Sequence, residues 1–413
     1  MSVALRMNDN GRSLLERAQA VIPGGMYGHQ DTKLQWPGAP QFFDRGHGPY
    51  IWDSEGKRYI DLMCSYGPIL HGHHHPAVEA AVMRQMQQAD CQNGPAPVMI
   101  DLAERFVNVV EHADWAMFMK NGSDATTLAL TIARAATKRK KILVAKGAYH
   151  GAAPWCTPNM HGIPEEERVH LAYYEYNNIE SVEVAIAAAD GDVAGIIVSP
   201  FRHDAGFDQE LVDLRFARHL RTRCDALKAL LILDDVRCGF RMAFGSSWEP
   251  IGVQPDLSAW SKAIANGYPL AALLGSDKCR EAASRVFATG SFWFSAVPMV
   301  ASMATLDLLA SEGGVEQMHD SASAITRGML DQANSMGLHV SVTGHPTMTY
   351  LTFRGENERY WTTKFAAECA RLGLYIHPRH NWFVSTAITR ELVSEILAIT
   401  EKAFMAVKKA GAT

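Results

Sequence analysis

Two carboxylates, Asp234 and Asp235, sit near the end of an apolar run at 229–236, and Lys262 closes the next such run at 257–262. Asp234 and Lys262 are 28 residues apart (262 − 234), room for one crossover between neighbouring strands. An isolated Asp after a strand is often a helix cap or loop acid, and a lone lysine is usually a solvated charge. Here Lys262 follows apolar residues and precedes Ala-Ile-Ala-Asn-Gly-Tyr-Pro, which predicts burial. A buried amine loses its proton more readily, its pKa falling by up to ~3–5 units, and it then attacks carbonyl carbon. An ionised carboxylate facing a pyridine nitrogen keeps that nitrogen protonated, since an opposite charge within ~4–6 Å shifts a pKa by ~1–3 units. The pair points to Schiff-base chemistry on a ring that serves as an electron sink.

Two further clusters could hold such a ring. Asn121-Gly122-Ser123-Asp124-Ala125-Thr126 follows the apolar "WAMFMK" and precedes a helical run. Backbone N–H groups and a hydroxyl at a helix N-terminus form an anion site, although Ser-Asp before a helix is equally a plain N-cap. Tyr149-His150-Gly151 follows "KILVAKGA". An aromatic at a strand end can stack on a flat ring or serve as a core residue.

The elements that must position these groups alternate. Helical stretches at 98–111, 124–138 and 210–224 separate short apolar runs at 141–145, 194–200, 229–236, 257–262 and 270–275. Runs of this length predict strands buried on both faces of a mostly parallel sheet, whose carboxyl ends hold ligands. Upstream, 12–22 has helical spacing and ends at Pro23-Gly24-Gly25, and "PYIWDSEGKRYIDLM" predicts a hairpin around Ser54–Gly56. Helices at 296–311, 318–336, 360–372 and 390–409, with strands "HVSVTG", "MTYLTF" and "LYIHP", predict a smaller α/β domain. The expected division is 1–65 as an N-terminal segment packing with the small domain, 66–310 as the large domain and 311–413 as the small domain.

Composition narrows the class. The 413 residues are 47% hydrophobic and 20% charged, ordinary for a globular chain, and a net charge of −5 offers no footprint for nucleic acid or an anionic membrane. Seven scattered cysteines without a CxxC pair predict reduced thiols. The N-terminus lacks the apolar core of a signal peptide, and no run reaches the ~18 apolar residues of a membrane span. The expectation is a cytoplasmic protein.

Taken in order, "YIDLMCSYGP…HGHHHPAV", "NGSDAT", "AYHGAAP", "LDDVRCGFR", "WSKAIANGYP" and "TGSFWFS" resemble the class III, fold type I aminotransferases, and in particular the glutamate-1-semialdehyde aminomutase branch. The similarity runs from "VIPGG" at 21–25 to about residue 400. The resemblance implies pyridoxal 5'-phosphate as cofactor, held by Lys262 as a Schiff base, with Asp234 facing the pyridine nitrogen. It also implies Val236 and Tyr149 on the two ring faces, His150 beside the cofactor, and Gly122 and Ser123 on the phosphate. Ser291, where the family usually has threonine, would reach the phosphate of the partner subunit, so the active site would be shared across a homodimer.

Departures bear on substrate. The aminomutase's carboxylate-binding arginine, counted from Gly25, falls at Asp31, which would repel a carboxylate; the usual Glu-Pro is Ser199-Pro200. "PFRH", "DDVR.GFR", "TGSFWFSAVPM" and "HP.HN.F" resemble the bacterial aminotransferases that deaminate hydrolysed fumonisin, a long-chain aminopolyol, with pyruvate. That implies a primary-amine donor, a keto-acid acceptor, and a site lined by Tyr27, Tyr66, Phe292, Trp293 and Phe294. Arg202, Arg237 and Arg379 are the candidate cations for the acceptor carboxylate.

Other readings fall behind. His71, His73, His74 and His75 could suggest a metal, but adjacent imidazoles on a loop seldom converge and no Cys/His set has ligand spacing. No G-x-G-x-x-G follows a strand, which argues against a dinucleotide enzyme. The alternatives that stay open are a 2,1-aminomutase and a non-catalytic cofactor-binding protein.

Overall fold

The computed structural model describes residues 13–412. The N-terminal stretch read for targeting, and the first residue of the 12–22 helix, lie outside that range. The helix itself runs Leu14–Val21, closed at its start by Ser13 and Glu16, each side chain bonding the other's backbone N–H.

Two compact units divide the chain: the described part of Met1–Cys64, His71–His75 and His319–Thr413, and Ser65–Leu70 with Pro76–Met318. The smaller unit holds a four-stranded sheet. Phe43–His47, Tyr50–Asp53 and Arg58–Asp61 form an antiparallel meander, and Leu374–Tyr375 joins its edge in parallel. The hairpin turn closes because the Asp53 carboxylate accepts the N–H groups of Glu55 and Lys57. Gly56 takes the left-handed conformation (φ 83°) there. Helices Glu358–Leu372 and Arg390–Lys409 pack against each other, with Phe365 stacked on Phe404 at 4.4 Å between centroids. Within this unit His73 Nε2 bonds the Asp61 carboxylate at 2.8 Å. Among the described residues no group of three acidic, His or Cys side chains is arranged to hold a metal ion.

The larger unit is built on seven strands: β1 (Trp115–Met119), β2 (Lys141–Ala145), β3 (Leu171–Tyr174), β4 (Val193–Val198), β5 (Leu230–Asp234), β6 (Leu257–Trp260) and β7 (Ala271–Gly275). Their spatial order is β1-β7-β6-β5-β4-β2-β3. β7 runs antiparallel to both neighbours, and all other pairs are parallel. The central sheet is thus mixed, with a single reversed strand. Every residue of β4, β5, β6 and β7 is buried, which is why these strands read as unbroken apolar runs. Helices α1 (Gly122–Thr137) and α2 (Leu214–Leu227) are among those covering the sheet.

The differences from the sequence pattern concentrate at strand ends. β5 stops at Asp234 and β6 at Trp260, so Asp235, Val236 and Ser261 lie beyond the strands and Lys262 starts a short 3-10 helix, Lys262–Ala265. α1 starts two residues earlier than its apolar periodicity suggests, because Asn121 and Asp124 cap it reciprocally.

Candidate active site

Asp234 is the last residue of β5 and is directly opposite Ala259 of β6. Adjacent parallel strands lie about 4.8 Å apart, so the loops leaving these two positions start side by side. Lys262 opens the turn after β6 in a left-handed conformation (φ 53°), a strained setting for a residue with a Cβ. Its ammonium form is disfavoured by burial first, then by the Arg237 guanidinium, with Asp234 opposing; the net effect draws its pKa down to about 7. At neutral pH a large share of the amine is therefore the neutral nucleophile.

Asp234 is 5% exposed and held from two sides. Its Oδ2 accepts from His150 Nδ1 at 2.6 Å, and its Oδ1 accepts the Val236 N–H at 3.2 Å. The His150 ring stacks near-parallel on Trp155, centroids 6.1 Å apart, while its Nε2 is buried without a hydrogen-bond partner.

α1 brings its N-terminus to the same place. A Cβ on Gly122 would meet Val236 Cγ1 at 2.7 Å, and one on Gly151 would meet Ser123 Oγ at 2.3 Å. Only glycine permits these approaches. Ser123 Oγ accepts the Ala152 N–H at 3.0 Å, and Thr126 Oγ1 donates to the His150 carbonyl at 2.8 Å. The first turn of α1, the loop 149–152 and the end of β5 therefore meet in one cradle, with the positive end of a 16-residue helix facing it.

Tyr149 is 40% exposed at the rim. Partial burial raises its phenol pKa while the Arg237 guanidinium lowers it, so the ring lies within that charge's field. Arg237 itself is buried and donates Nη1 to the His203 carbonyl at 3.0 Å. Trp293 packs against the apolar cluster that also receives Val236. Tyr66 is half-buried in a left-handed turn (φ 64°) of the same unit. Ser291 and Phe292 stand exposed before the helix Ala296–Ser311 rather than buried with the cluster. Arg202 is ion-paired with Glu210 at 3.2 Å. Tyr27 and Arg379 belong to the smaller unit; both are exposed, and Arg379 donates Nη2 to the Leu34 carbonyl at 2.7 Å.

Several contributors lie in the motifs that carry the family resemblance, yet their types suggested no role. His203 is buried, and desolvation followed by the nearby Arg237 and Lys262 charges pushes its imidazole pKa well down. Arg241, of "GFR", is fully buried and donates Nη2 to the carbonyls of Gly67 and Ile69, each at 2.8 Å. Asn266 accepts the Leu70 N–H at 2.8 Å, so the loop after Tyr66 is fastened twice. Asp235 is buried beside Asp234 and accepts from Ser246 and Ser247.

A flat ring with a ring nitrogen, an aldehyde and a phosphate matches these groups. Buried acid, neutral amine, helix N-terminus with glycine clearances, and an unpartnered imidazole nitrogen fit pyridoxal phosphate. The class that fold and site define is an aminotransferase of fold type I, and the chain belongs to the class III aminotransferases, whose family model matches residues 36–404. Aminopentol aminotransferase of Sphingopyxis macrogoltabida is 50% identical over 396 residues, covering 96% of this chain and 94% of that protein. The solved structure of the internal aldimine form of the FumI protein of Sphingopyxis sp. MTA144, which contains pyridoxal phosphate, superposes with a TM-score of 0.95. It shares 49% identity and covers 97% of either chain. Glutamate-1-semialdehyde 2,1-aminomutase of Hyperthermus butylicus is 31% identical over 420 residues, covering 95% of this chain and 98% of that protein. The chain is thus a pyridoxal-phosphate-dependent transaminase. Among the described residues no helix is long and apolar enough to cross a membrane.

Proposed function

We propose that the enzyme moves the amino group of a long-chain or bulky primary amine onto pyruvate, as a cytoplasmic homodimer whose two active sites are completed across the interface. The observation that carries the site assignment is the register between β5 and β6, which sets Asp234 beside the path to Lys262. The half of the proposal that concerns the amine draws on the 50% identity to an aminopentol aminotransferase.

Bound pyridoxal phosphate supplies a carbon that exchanges nitrogen with amines and a pyridine ring that withdraws electrons from the adjacent carbon. Lys262 would anchor it and, once freed, would act as the base and acid at the reacting carbon; in the cofactor-free chain burial and the Arg237 charge draw its amine down to a pKa of about 7. Asp234, oriented by His150 and the Val236 N–H, would keep a proton on the ring nitrogen. The α1 N-terminus with Gly122 and Ser123 would bind the phosphate, and Val236 and Tyr149 would flank the ring. Ser291, exposed on its turn, is the residue offered to the partner's phosphate.

The test is spectroscopic. The visible band of the purified holoenzyme should bleach on adding a long-chain primary amine and return on adding pyruvate. A holoenzyme that no long-chain amine bleaches is not this transaminase. The aminomutase relationship offers a second reading, and turnover of an aminoaldehyde without any keto acid would favour it. Against it, Asp31 occupies the position of the aminomutase arginine and caps the turn at Lys33, accepting its N–H at 2.9 Å.

A further inference from the structure

The chain after β4 carries two polar side chains that the described residues leave unmatched. A short hairpin rises from that strand end, Phe201–Arg202 pairing antiparallel with Glu210–Leu211. Arg202 and Glu210 stand directly opposite each other and form an ion pair at 3.2 Å, which holds the hairpin closed. The Asp204 carbonyl accepts the Phe207 N–H at 3.3 Å and Gln209 Nε2 at 3.4 Å, so the backbone is fixed where the hairpin loop begins. His203 is 5% exposed, its ring edge-on to Phe201 with centroids 5.2 Å apart, and its Nδ1 is buried without a hydrogen-bond partner. Asp204 is half-buried, and among the described residues no hydrogen bond or ion pair reaches its carboxylate.

Strand order puts these two residues against the cofactor cradle. β2 and β5 are the parallel neighbours of β4, so the chains leaving all three strands start side by side at the carboxyl edge of the sheet. From β2 comes the loop with Tyr149 and His150, and from β5 the segment with Asp234 and Val236. A Cβ on Gly147 would lie 3.7 Å from Asp204 Oδ2, so the carboxylate faces the β2 loop two residues before Tyr149. On the β5 side, Arg237 donates Nη1 to the His203 carbonyl at 3.0 Å. The charges of Arg237, Lys262 and His150 act on the His203 ring, and those of Arg202, Arg237 and His150 act on Asp204. Burial raises the Asp204 pKa all the same, the three positive groups only partly opposing it.

We propose that Asp204, with His203 beside it, forms a subsite for a hydroxyl group of the donor amine and makes the enzyme selective for amino alcohols. A hydroxyl donates one hydrogen bond and accepts others; an ionised carboxylate only accepts, and a neutral imidazole nitrogen does either according to its tautomer. The two side chains together therefore match a hydroxylated chain. A purely apolar donor would cover them and leave both desolvated and unmatched. A second ammonium on the donor suits the place less, because the Arg202 and Arg237 charges act there and disfavour another cation. The His150 charge acts on this carboxylate, and His150 itself bonds the ring-facing Asp234. The hydroxyl concerned is accordingly one close to the amine that is transferred. A hydrogen bond to a carboxylate in a partly desolvated setting is among the stronger ones a neutral ligand can make.

This rests on the proposed amine half-reaction, and the experiment keeps the two claims apart. The rate at which the visible band of the holoenzyme bleaches is measured with dodecylamine and with 1-aminododecan-2-ol. If the wild type bleaches with neither, the long-chain donor reading fails before Asp204 is in question. Given bleaching, the second-order rate constant for the amino alcohol should exceed that for dodecylamine by about tenfold or more, the discrimination given by one hydrogen bond to a charged group. Asp204→Asn, and Asp204→Ala as a second variant, should bring that ratio down to about one, the larger loss falling on the amino alcohol. His203→Leu should lower the ratio by a smaller factor. Because the ratio is taken within each variant, poor folding or weak cofactor loading cancels, and a merely structural role would slow both amines alike. A wild type that does not distinguish the two amines, or a ratio that stays unchanged in Asp204→Asn and Asp204→Ala, overturns the proposal.

Discussion

His150 and Asp234 meet at 2.6 Å, Nδ1 to Oδ2, although 84 residues separate them in the chain. The contact turns a carboxylate at a strand end into one with a single orientation, because its other oxygen is tied to the Val236 N–H. Replacing Asp234 by Asn keeps the size and removes the charge that would hold a proton on the cofactor ring. Turnover should fall by about 100-fold or more, the scale of a lost acid–base contribution, with the far-ultraviolet circular dichroism unchanged. His150→Gln leaves the carboxylate but not its orientation, and the loss should be smaller. Steady-state rates for the two variants at saturating cofactor would show the order; equal losses would make His150 more than an orienting group.

Lys262 gives a pH dependence whose sign can be worked out. In the unfolded chain its amine keeps a proton up to about 10.5, in the cofactor-free folded chain only up to about 7. Between those values the unfolded state binds more protons, so the lysine's contribution makes stability rise with pH across that window. Below about 7 both states hold the proton and the desolvation cost is fully present. Urea unfolding of the apoenzyme from pH 6.5 to 9.5 should show a difference between wild type and Lys262→Met that shrinks as pH rises. A difference independent of pH would contradict a depressed amine. The Met variant should also lose turnover by about 1000-fold or more, and wild-type apoenzyme should take up pyridoxal phosphate faster as pH climbs through 7.

The glycine clearances predict a cofactor defect. An Ala at 151 would place its Cβ 2.3 Å from Ser123 Oγ at a backbone angle (φ 127°) that residues with a Cβ avoid. An Ala at 122 would press on Val236 at 2.7 Å. Overpacking of this kind costs about 1–3 kcal/mol, which corresponds to roughly 5- to 150-fold in affinity if the cradle opens to relieve it. Equilibrium dialysis of pyridoxal phosphate should show the loss for either variant, the larger at Gly151, where the backbone is strained as well.

How much of this was legible in the sequence depends on the range of the interaction. β2 and the helices Ala296–Ser311 and Arg390–Lys409 lie where periodicity set them, because burial of one face or of both is written into local residue order. The reversal of β7 was not legible: "LAALLG" is equally apolar in either direction, and only its antiparallel pairing distinguishes it. That β5 and β6 lie side by side could be foreseen from one crossover length. The His150 contact could not, since no local pattern links a loop histidine to a strand 84 residues on. Arg241 shows the same limit. A charged residue in "GFR" reads as surface, yet it is fully buried, its guanidinium holding the carbonyls of Gly67 and Ile69.

Asp235 carries the last prediction. Its Oδ2 accepts from the Ser246 hydroxyl at 3.0 Å and the Ser247 N–H at 3.2 Å, while its Oδ1 is buried without a partner. Burial raises its pKa to about 7; the bonds from Ser247 and Ser246 oppose the rise, and the Asp234 charge adds to it. The folded state therefore holds a proton that the unfolded state releases near 3.8, so this residue's contribution to stability falls as pH rises from about 4 to about 7 and stays low above that. An Asn keeps one oxygen for both serine donors and puts a neutral amide at the orphaned position. Asp235→Asn should accordingly be the more stable protein at pH 8, by on the order of 1–3 kcal/mol, because it removes the buried charge that the wild-type carboxylate carries there. The advantage should shrink as pH falls from 7 toward 4, where the wild-type carboxyl is neutral in the fold. Thermal melts of the two apoenzymes at pH 5, 6, 7 and 8 measure the trend directly. A stability difference that stays constant between pH 5 and pH 8 would mean that the Asp235 carboxyl is ionised in the fold well below pH 7.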